Sequence, residues 1–422
     1  MQTHMSAQST ASEGAARVSS DSKYLIAHQA TQARLRLEKW VENNGWAGFD
    51  PFDIIGEPWV RSLSQAHSLT ARFLRRVPLG LIRRYPLATR KLFRLRAVNP
   101  KAMGLFVSAF CRLFQATGDP KYLEQAKECA EWLLANANSH YPGLSWGYPF
   151  DWQSVIFIPK GTPSVVVSTA VGDGMWRLAN ITDDEKYRNA CLEICRFILE
   201  GLNQTAIANE TVCFSYTPLD HFQVHNANLF AAEYLARIGM ETSRPEWCDL
   251  AVRAGNFALS EQNSDGSIFY WSRAQNENVP NHLDCFHSGF EIRCLWGLGV
   301  ATKDARFRQA ALKYFNFFQE SYIADDGAVM TQPRTVYPVD IHACAEVLLC
   351  PAILNDALPE LTSEVISKAL PWILKLMQNA DGSFAYMAFN KKNVDRTPYV
   401  RWGQAWMFRA LAEVQFVFGT RS

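Results

Sequence analysis

One short pattern, repeated three times, constrains the fold of this chain more than any other feature. Thr117–Tyr122 reads TGDPKY, Thr182–Tyr187 reads TDDEKY and Thr302–Phe307 reads TKDARF. Each copy follows an apolar stretch with helical spacing and precedes an amphipathic one. The pattern T-x-D-x-[KR]-[YF] supplies an aspartate to cap a helix and an aromatic to begin the next apolar stripe. A second repeated unit closes the amphipathic stretches. Gln262–Ser267 and Gln378–Ser383 share Q-N-x-D-G-S, and Tyr322–Met330 carries a shorter Asp-Asp-Gly relative. Asp-Gly at such a point ends a helix and turns the chain.

Laid end to end, these units predict outer amphipathic helices near 23–43, 121–137, 185–202, 244–262, 305–323 and 362–378. More apolar helices follow them near 99–116, 164–180, 225–239, 287–301, 340–354 and 401–416. Self-similarity at a fixed period, here about 60 residues, argues for a repeat architecture. Helices apolar around most of their surface belong inside and amphipathic ones outside. Six such pairs close into an all-α (α/α)6 toroid, a single domain over about 22–422. Residues 1–21 read as a small, polar, disordered tail, and 46–98 as a basic insertion between the first outer and first inner helix.

Composition narrows the function classes. A hydrophobic content of 48% supports a large core, and a net charge of +1 gives no global pull toward nucleic acid. No apolar run approaches the roughly 18 residues that span a bilayer. The first residues lack the apolar core of a signal peptide, so the expected compartment is the cytoplasm. The ten cysteines are scattered without a CxxC pair and read as reduced, buried thiols. Cys285 and His287 with Cys344 and His342 are the one imaginable zinc set, but at no recognised spacing. No phosphate loop is present either, so no metal and no cofactor is expected.

The insertion has its own character. From Pro58 through Gly118 there is no acidic residue and there are twelve Lys and Arg. Arg72–Arg96 interleaves those charges with Phe73, Leu74, Leu79, Leu81, Ile82, Leu92 and Phe93. A basic amphipathic segment suits an anionic membrane surface, where lipid-linked glycans are built, or an acidic polysaccharide. The first option gives a peripheral position at the inner membrane. The alternative is an arm folded over the barrel with its arginines outward, since two prolines argue against one long helix.

In a toroid the inner helices run roughly parallel, so their N-termini gather at one mouth, with free N–H groups that favour anions. The residues at these N-termini are strongly biased in type. His225 and Asn226 open the third inner helix, His287 opens the fourth after His282 and Asp284, and Asp340 and His342 open the fifth just after Tyr337. Tyr399, Arg401 and Trp402 open the sixth, and the loop before the second offers Trp146, Tyr148, Asp151 and Trp152. Each has a bland reading: Asp340 as a helix cap, Glu346 as a partner for the His342 ring, the tryptophans as core. Their coincidence on one rim points instead to a pocket.

Aromatics beside hydrogen-bonding groups suit a sugar, whose ring faces stack while its hydroxyls are bonded. Hydrolysis would need two carboxylates, for which Asp151, Asp284 and Asp340 are available. Proton abstraction next to a carbonyl or carboxylate would use His225, His287, His342, Asp340 and Tyr337 as acids and bases, with Arg401 and Asn226 offsetting the developing charge. Trp146, Tyr148, Asp151, Trp152, Tyr399 and Trp402 complete the expected substrate contacts.

The layout, with the segments WGYPFDWQ (Trp146–Gln153), VHNANLFAAEYLARI (Val224–Ile238), FHSGFEIRCLWGL (Phe286–Leu298), YPVDIHACAE (Tyr337–Glu346) and PYVRWGQAWMFRALAE (Pro398–Glu413), resembles the six-hairpin (α/α)6-toroid superfamily. That superfamily includes glycoside hydrolases, polysaccharide lyases and sugar epimerases, and the segments are most similar to bacterial polysaccharide-biosynthesis proteins. The resemblance implies an oligo- or polysaccharide partner, and the supply of histidine and tyrosine on the rim favours an epimerase or lyase acting on a uronic or amino sugar. A glycoside hydrolase with paired aspartates and a non-catalytic glycan-binding or scaffold protein are the alternatives. The Q-N-x-D-G-S units also resemble the QW motif of terpenoid cyclases, but the acidic D-x-D-D cluster of those enzymes is missing.

Overall fold

The computed structural model describes residues 20–65, 80–82, 84–207, 210–275 and 281–419. In it the repeated T-x-D units act as caps. Asp119, Asp184 and Asp304 accept the backbone N–H two residues on, at 3.0, 2.8 and 2.9 Å, and open the outer helices. Tyr122, Tyr187 and Phe307, the aromatics that end the pattern, are all buried.

The outer helices are Ser20–Asn44, Pro120–Ala135, Glu185–Arg196, Pro245–Ser260, Ala305–Tyr322 and Pro359–Met377. The inner helices are Pro100–Thr117, Val165–Thr182, His225–Glu241, Cys285–Ala301, Ile341–Leu354 and Trp406–Phe418, the last entered through a wider turn at Val400–Ala405. Each inner helix packs on the next, and the sixth returns to the first, so the ring is closed. The fifth shows why these are the inner set: it buries nearly every residue, Glu346 included.

The Q-N-x-D-G-S turns fasten neighbouring outer helices together. Gln262 Nε2 donates to the Ala310 carbonyl at 3.0 Å, joining the fourth outer helix to the fifth. Gln378 repeats the bond to the Ala33 carbonyl at 3.0 Å, joining the sixth to the first. The glycine of the turn is required twice over. Gly382 has φ +95°, and a Cβ there would lie 2.3 Å from the Arg36 carbonyl oxygen. The last copy of the repeat thus seals the ring.

The insertion leaves and re-enters the barrel through a two-stranded pair, Ala47–Gly48 against Ala97–Val98. Between them lie the short helices Pro58–Gln65 and Pro86–Leu92. Not all of its arginines face outward. Arg90 is buried, with its Nε 2.7 Å from Asp53, and it also donates to the carbonyls of Asp50 and Pro51. The expected tail at 1–21 lies almost wholly outside the described residues, as does Arg72–Leu79 of the proposed membrane segment. Among the described residues no helix is long and apolar enough to cross a membrane.

Replacing Gly382 with alanine tests the seal. The added methyl and the left-handed backbone together should cost about 1–3 kcal/mol in urea unfolding. An unchanged midpoint would show that the sixth outer helix does not depend on this turn.

Candidate active site

The N-terminal ends of the inner helices surround a cavity of about 200 Å³. Lys101, Asn226, His287, His342, Arg401 and Trp402 come to it from the first, third, fourth, fifth and sixth inner units. Phe52 enters from the insertion, and Tyr148, Phe150, Trp152, Tyr216 and Tyr270 from the loops. Phe286 and Phe290 of the fourth inner helix complete an aromatic box.

His342 is only 2% exposed, and among the described residues neither of its ring nitrogens has a hydrogen-bond partner. Its ring lies parallel to Phe286 at 4.8 Å and edge-on to Trp402 at 4.6 Å. Burial, then the Lys101 cation, pushes its pKa well below the usual histidine range, so the imidazole is neutral. Glu346 does not pair with it as its spacing suggested. Arg293 claims that carboxylate through two bonds of 3.0 and 2.9 Å, because a buried carboxylate is better compensated by a bidentate guanidinium than by a neutral ring.

His287 is built differently. Its backbone N–H donates to Asp284 Oδ1 at 2.9 Å, and its Nδ1 lies 2.6 Å from Asp284 Oδ2. Asp284 therefore caps the fourth inner helix and also orients the ring, leaving Nε2 as the nitrogen without that partner. A carboxylate on one ring nitrogen fixes the orientation and the tautomer of the ring.

Arg401, 3% exposed, grips Asp50 of the insertion with Nε and Nη2 at 2.5 and 2.7 Å, and its guanidinium also lies 4.9 Å from the centre of the Tyr148 ring. Trp402 Nε1 donates to Asp340 Oδ1 at 2.8 Å, and the same oxygen accepts the His342 backbone N–H at 2.8 Å. Asp340 is thus the cap its position predicted, and it also fixes a wall of the cavity from behind. Burial pushes its pKa up to about 7.

Lys101 is one of the residues that sequence reading missed, with Phe52, Tyr216 and Tyr270. It is 4% exposed on the first turn of the first inner helix, and among the described residues no carboxylate lies within ion-pair distance of it. Its ammonium faces the rings of Phe290 and Trp406 at 5.7 and 5.4 Å. Burial and the neighbouring Arg401 bring its pKa down to about 7.

Seven of the residues expected at the site line this cavity: Tyr148, Trp152, Asn226, His287, His342, Arg401 and Trp402. The others stand elsewhere. His225 turns away from the axis, with Nε2 2.8 Å from Glu261 of the neighbouring outer helix. Trp146 is core, its Nε1 donating to the Leu133 carbonyl. Asp151 accepts the Lys160 backbone N–H. Tyr399 packs edge-on to Tyr386, with Arg90 over its ring, and Tyr337 is outside the lining, as is Asp340. The imagined Cys285 and Cys344 zinc ligands are buried thiols whose pKa burial drives far up, Cys285 donating to the Ala343 carbonyl. Among the described residues the one three-ligand cluster is His282, Asp284 and His287, with ligand atoms within 4.8 Å of one another. An ion there would displace the His287–Asp284 hydrogen bond.

No protein-family model matches the sequence, and no curated protein matches it. Solved structures do match the fold. Cellobiose 2-epimerase from Bacillus thermoamylovorans B4167 superposes with a TM-score of 0.60 at 11% identity, covering 76% of this chain and 87% of that one. A D-mannose isomerase gives 0.58 at 13% identity over 76% and 86%. An unsaturated glucuronyl hydrolase specific for heparin gives 0.55 at 12% identity over 94% and 96%. The architecture these likenesses share with the chain is the (α/α)6 toroid.

Asp340 has a checkable signature. Its folded pKa of about 7 lies above the ordinary 3.8, so the folded state holds the proton more tightly than the unfolded one. Its contribution is greatest below about pH 4 and is lost as pH rises toward 7. Asp340→Asn, which keeps the cap and the Trp402 acceptor, should abolish that slope. Urea titrations at pH 5 and pH 8 should show the variant gaining on the wild type by on the order of 2–3 kcal/mol; parallel curves would refute the assignment.

Proposed function

We propose that the protein is a sugar-processing enzyme that moves protons at a carbon next to a carbonyl or carboxylate, as an epimerase or lyase on a uronic or amino sugar. The observation that carries this reading is the pair of unlike histidines on one small cavity: His287, held by Asp284, and neutral His342, with both ring nitrogens unpartnered. A base oriented by a carboxylate takes the proton, and a neutral imidazole across the aromatic box exchanges it. Lys101, and the buried Asn226 through its amide N–H, are placed to meet the charge that develops on oxygen.

The cavity, at about 200 Å³, is below the roughly 300–1,000 Å³ of drug-sized sites, which fits one sugar ring rather than a chain. Trp152 and Trp402 offer it stacking faces. The hydrolase alternative is less supported, because no Asp or Glu is among the lining residues and Asp151, Asp284 and Asp340 are each engaged elsewhere. The epimerase and isomerase among the structural neighbours agree with proton transfer, while the hydrolase among them shows that the fold also supports the other chemistry.

Incubation with uronates and hexosamines in heavy water tests the reading. Deuterium should enter the substrate, or an unsaturated product should form, and His287→Gln should lower the rate by about 10²–10⁴-fold. Saturable sugar binding with neither outcome would identify a glycan-binding protein instead.

The reading extends to polysaccharide synthesis or modification at an anionic membrane surface. The described part of the basic insertion exposes Leu92 at 76% and Tyr85 at 53%, beside exposed Arg84, Lys91 and Arg94. Sedimentation with phosphatidylglycerol liposomes should fall steeply with salt. Equal sedimentation with neutral vesicles would remove the electrostatic version.

A further inference from the structure

The buried arginines at the heart of this barrel are met by carboxylates. Arg401 has Asp50, Arg293 has Glu346 and Arg409 has Glu413. Lys101 departs from that rule. Among the described residues it is the one buried lysine. The two carboxylates whose charge favours its protonated form, Glu346 and Asp50, are already held by Arg293 and Arg401. Its backbone is fixed by Asn99, whose Oδ1 accepts the Lys101 N–H at 3.0 Å and caps the first inner helix. From that turn the side chain borders the aromatic cavity, with Nζ 5.7 and 5.4 Å from the ring centres of Phe290 and Trp406.

A purely structural role does not account for such a lysine. Two cation–π contacts return less than the desolvation of an ammonium costs, and an apolar side chain would fill the volume without that cost. Desolvation and a neighbouring cation are instead the two devices that turn a lysine into a nucleophile. Both are present, in the aromatic surround and in Arg401, and together they bring its pKa down to about 7. His342 lies close by. Lys101 is the largest of the charges that depress the His342 ring, and Phe290 packs against both side chains. An amine and a neutral imidazole thus share one cavity of about 200 Å³.

We propose that Lys101 is a covalent catalytic residue, whose Nζ condenses with the carbonyl carbon of an open-chain reducing sugar to form an imine. This rests on the reading of proton transfer given above and narrows it to the carbonyl case. The substrate is then a hexosamine or uronate with a free reducing end, not a residue inside a chain. The amine nitrogen bonds to the carbonyl carbon, and the carbonyl oxygen leaves as water with two protons of the ammonium. The nitrogen remains as a protonated iminium, which draws electrons from the adjacent C–H bond. His287 takes that proton as the electron pair moves into an enamine. Return of a proton to either face, then addition of water to the iminium, releases the product and restores the lysine. No oxidant or reductant is consumed. Lys101 meets the developing charge by bonding in place of the oxygen that carried it.

Reductive trapping tests the imine. The full chain is incubated at pH 7 with sodium cyanoborohydride and, in turn, glycolaldehyde, N-acetylglucosamine and glucuronate, and its peptides are weighed. Glycolaldehyde is small enough for the cavity whatever the natural sugar. It should alkylate Lys101 at least about tenfold faster than any exposed lysine, because ordinary lysines hold little free amine at that pH. At least one of the two sugars should add its own mass less one oxygen to the 97–112 peptide. Lys101→Met, which fills the same volume, should lose both the adduct and the deuterium exchange; trapping on the wild type decides the matter if that variant does not fold. No selective labelling by glycolaldehyde, no adduct from either sugar, or exchange undiminished in Lys101→Met would each overturn the imine. Deuterium exchange without an adduct would do so while leaving the proton-transfer reading intact. An adduct without exchange would support the imine and remove that reading.

Discussion

The ion pair between Arg401 and Asp50 holds the aromatic cavity in its shape. It joins residues 351 positions apart, and both partners are buried. A buried guanidinium is stable only if its charge and its planar donors are met together, and Asp50 meets both. The pair draws the insertion onto the mouth of the barrel, and Phe52, two residues on, reaches Trp402 edge-on at 5.1 Å. Gly56 lets the same segment lie against the loop at Asp151, where a Cβ would fall 1.6 Å from the carbonyl oxygen. The insertion is accordingly a wall of the cavity rather than an appendage.

Compensation of Arg401 by Asp50 leaves Lys101, among the described residues, as the cation of the cavity without a carboxylate in ion-pair reach. A lysine in an aromatic surround loses its proton readily, and one that touches substrate gains it back as negative charge builds on oxygen. His342 has the same logic with the opposite starting point, since its neutral ring is what burial beside cations enforces. The box of Phe286, Phe290 and Trp402 is therefore an electrostatic device as well as a stacking surface, because it sets the proton state of the groups it encloses.

Much of the fold was legible because its signals are local. Asp119, Asp184 and Asp304 cap helices by bonding two residues along the chain, and the Asp-Gly turns need only their own backbone geometry. The cavity was legible as a rim but not residue by residue. His225 and Asn226 are adjacent on one helix, yet the first faces Glu261 and the second the cavity; that choice depends on the exact rotation of the helix. Lys101 read as one more cation in a basic stretch. Asp50 gave no signal, since its partner is set by tertiary packing. Glu346 stood at the right spacing for His342, but Arg293 from the neighbouring helix outcompeted it.

The seam between the first and last hairpins has a consequence for how the chain acquires its structure. The first outer helix rests on the sixth inner helix, with Arg34 bonded to Gln415 at 3.2 Å and to Tyr122 at 2.7 Å. Its apolar face, with Ile26, Ala30 and Leu37, has no cover until residues some 380 positions later are in place. Contacts of that sequence separation are slow to form, because the loop they close must be ordered first. The first helix of the described residues is thus among the last to be buried. Until then it presents a greasy stripe to its surroundings, and the interval before ring closure is when this chain is most exposed to aggregation.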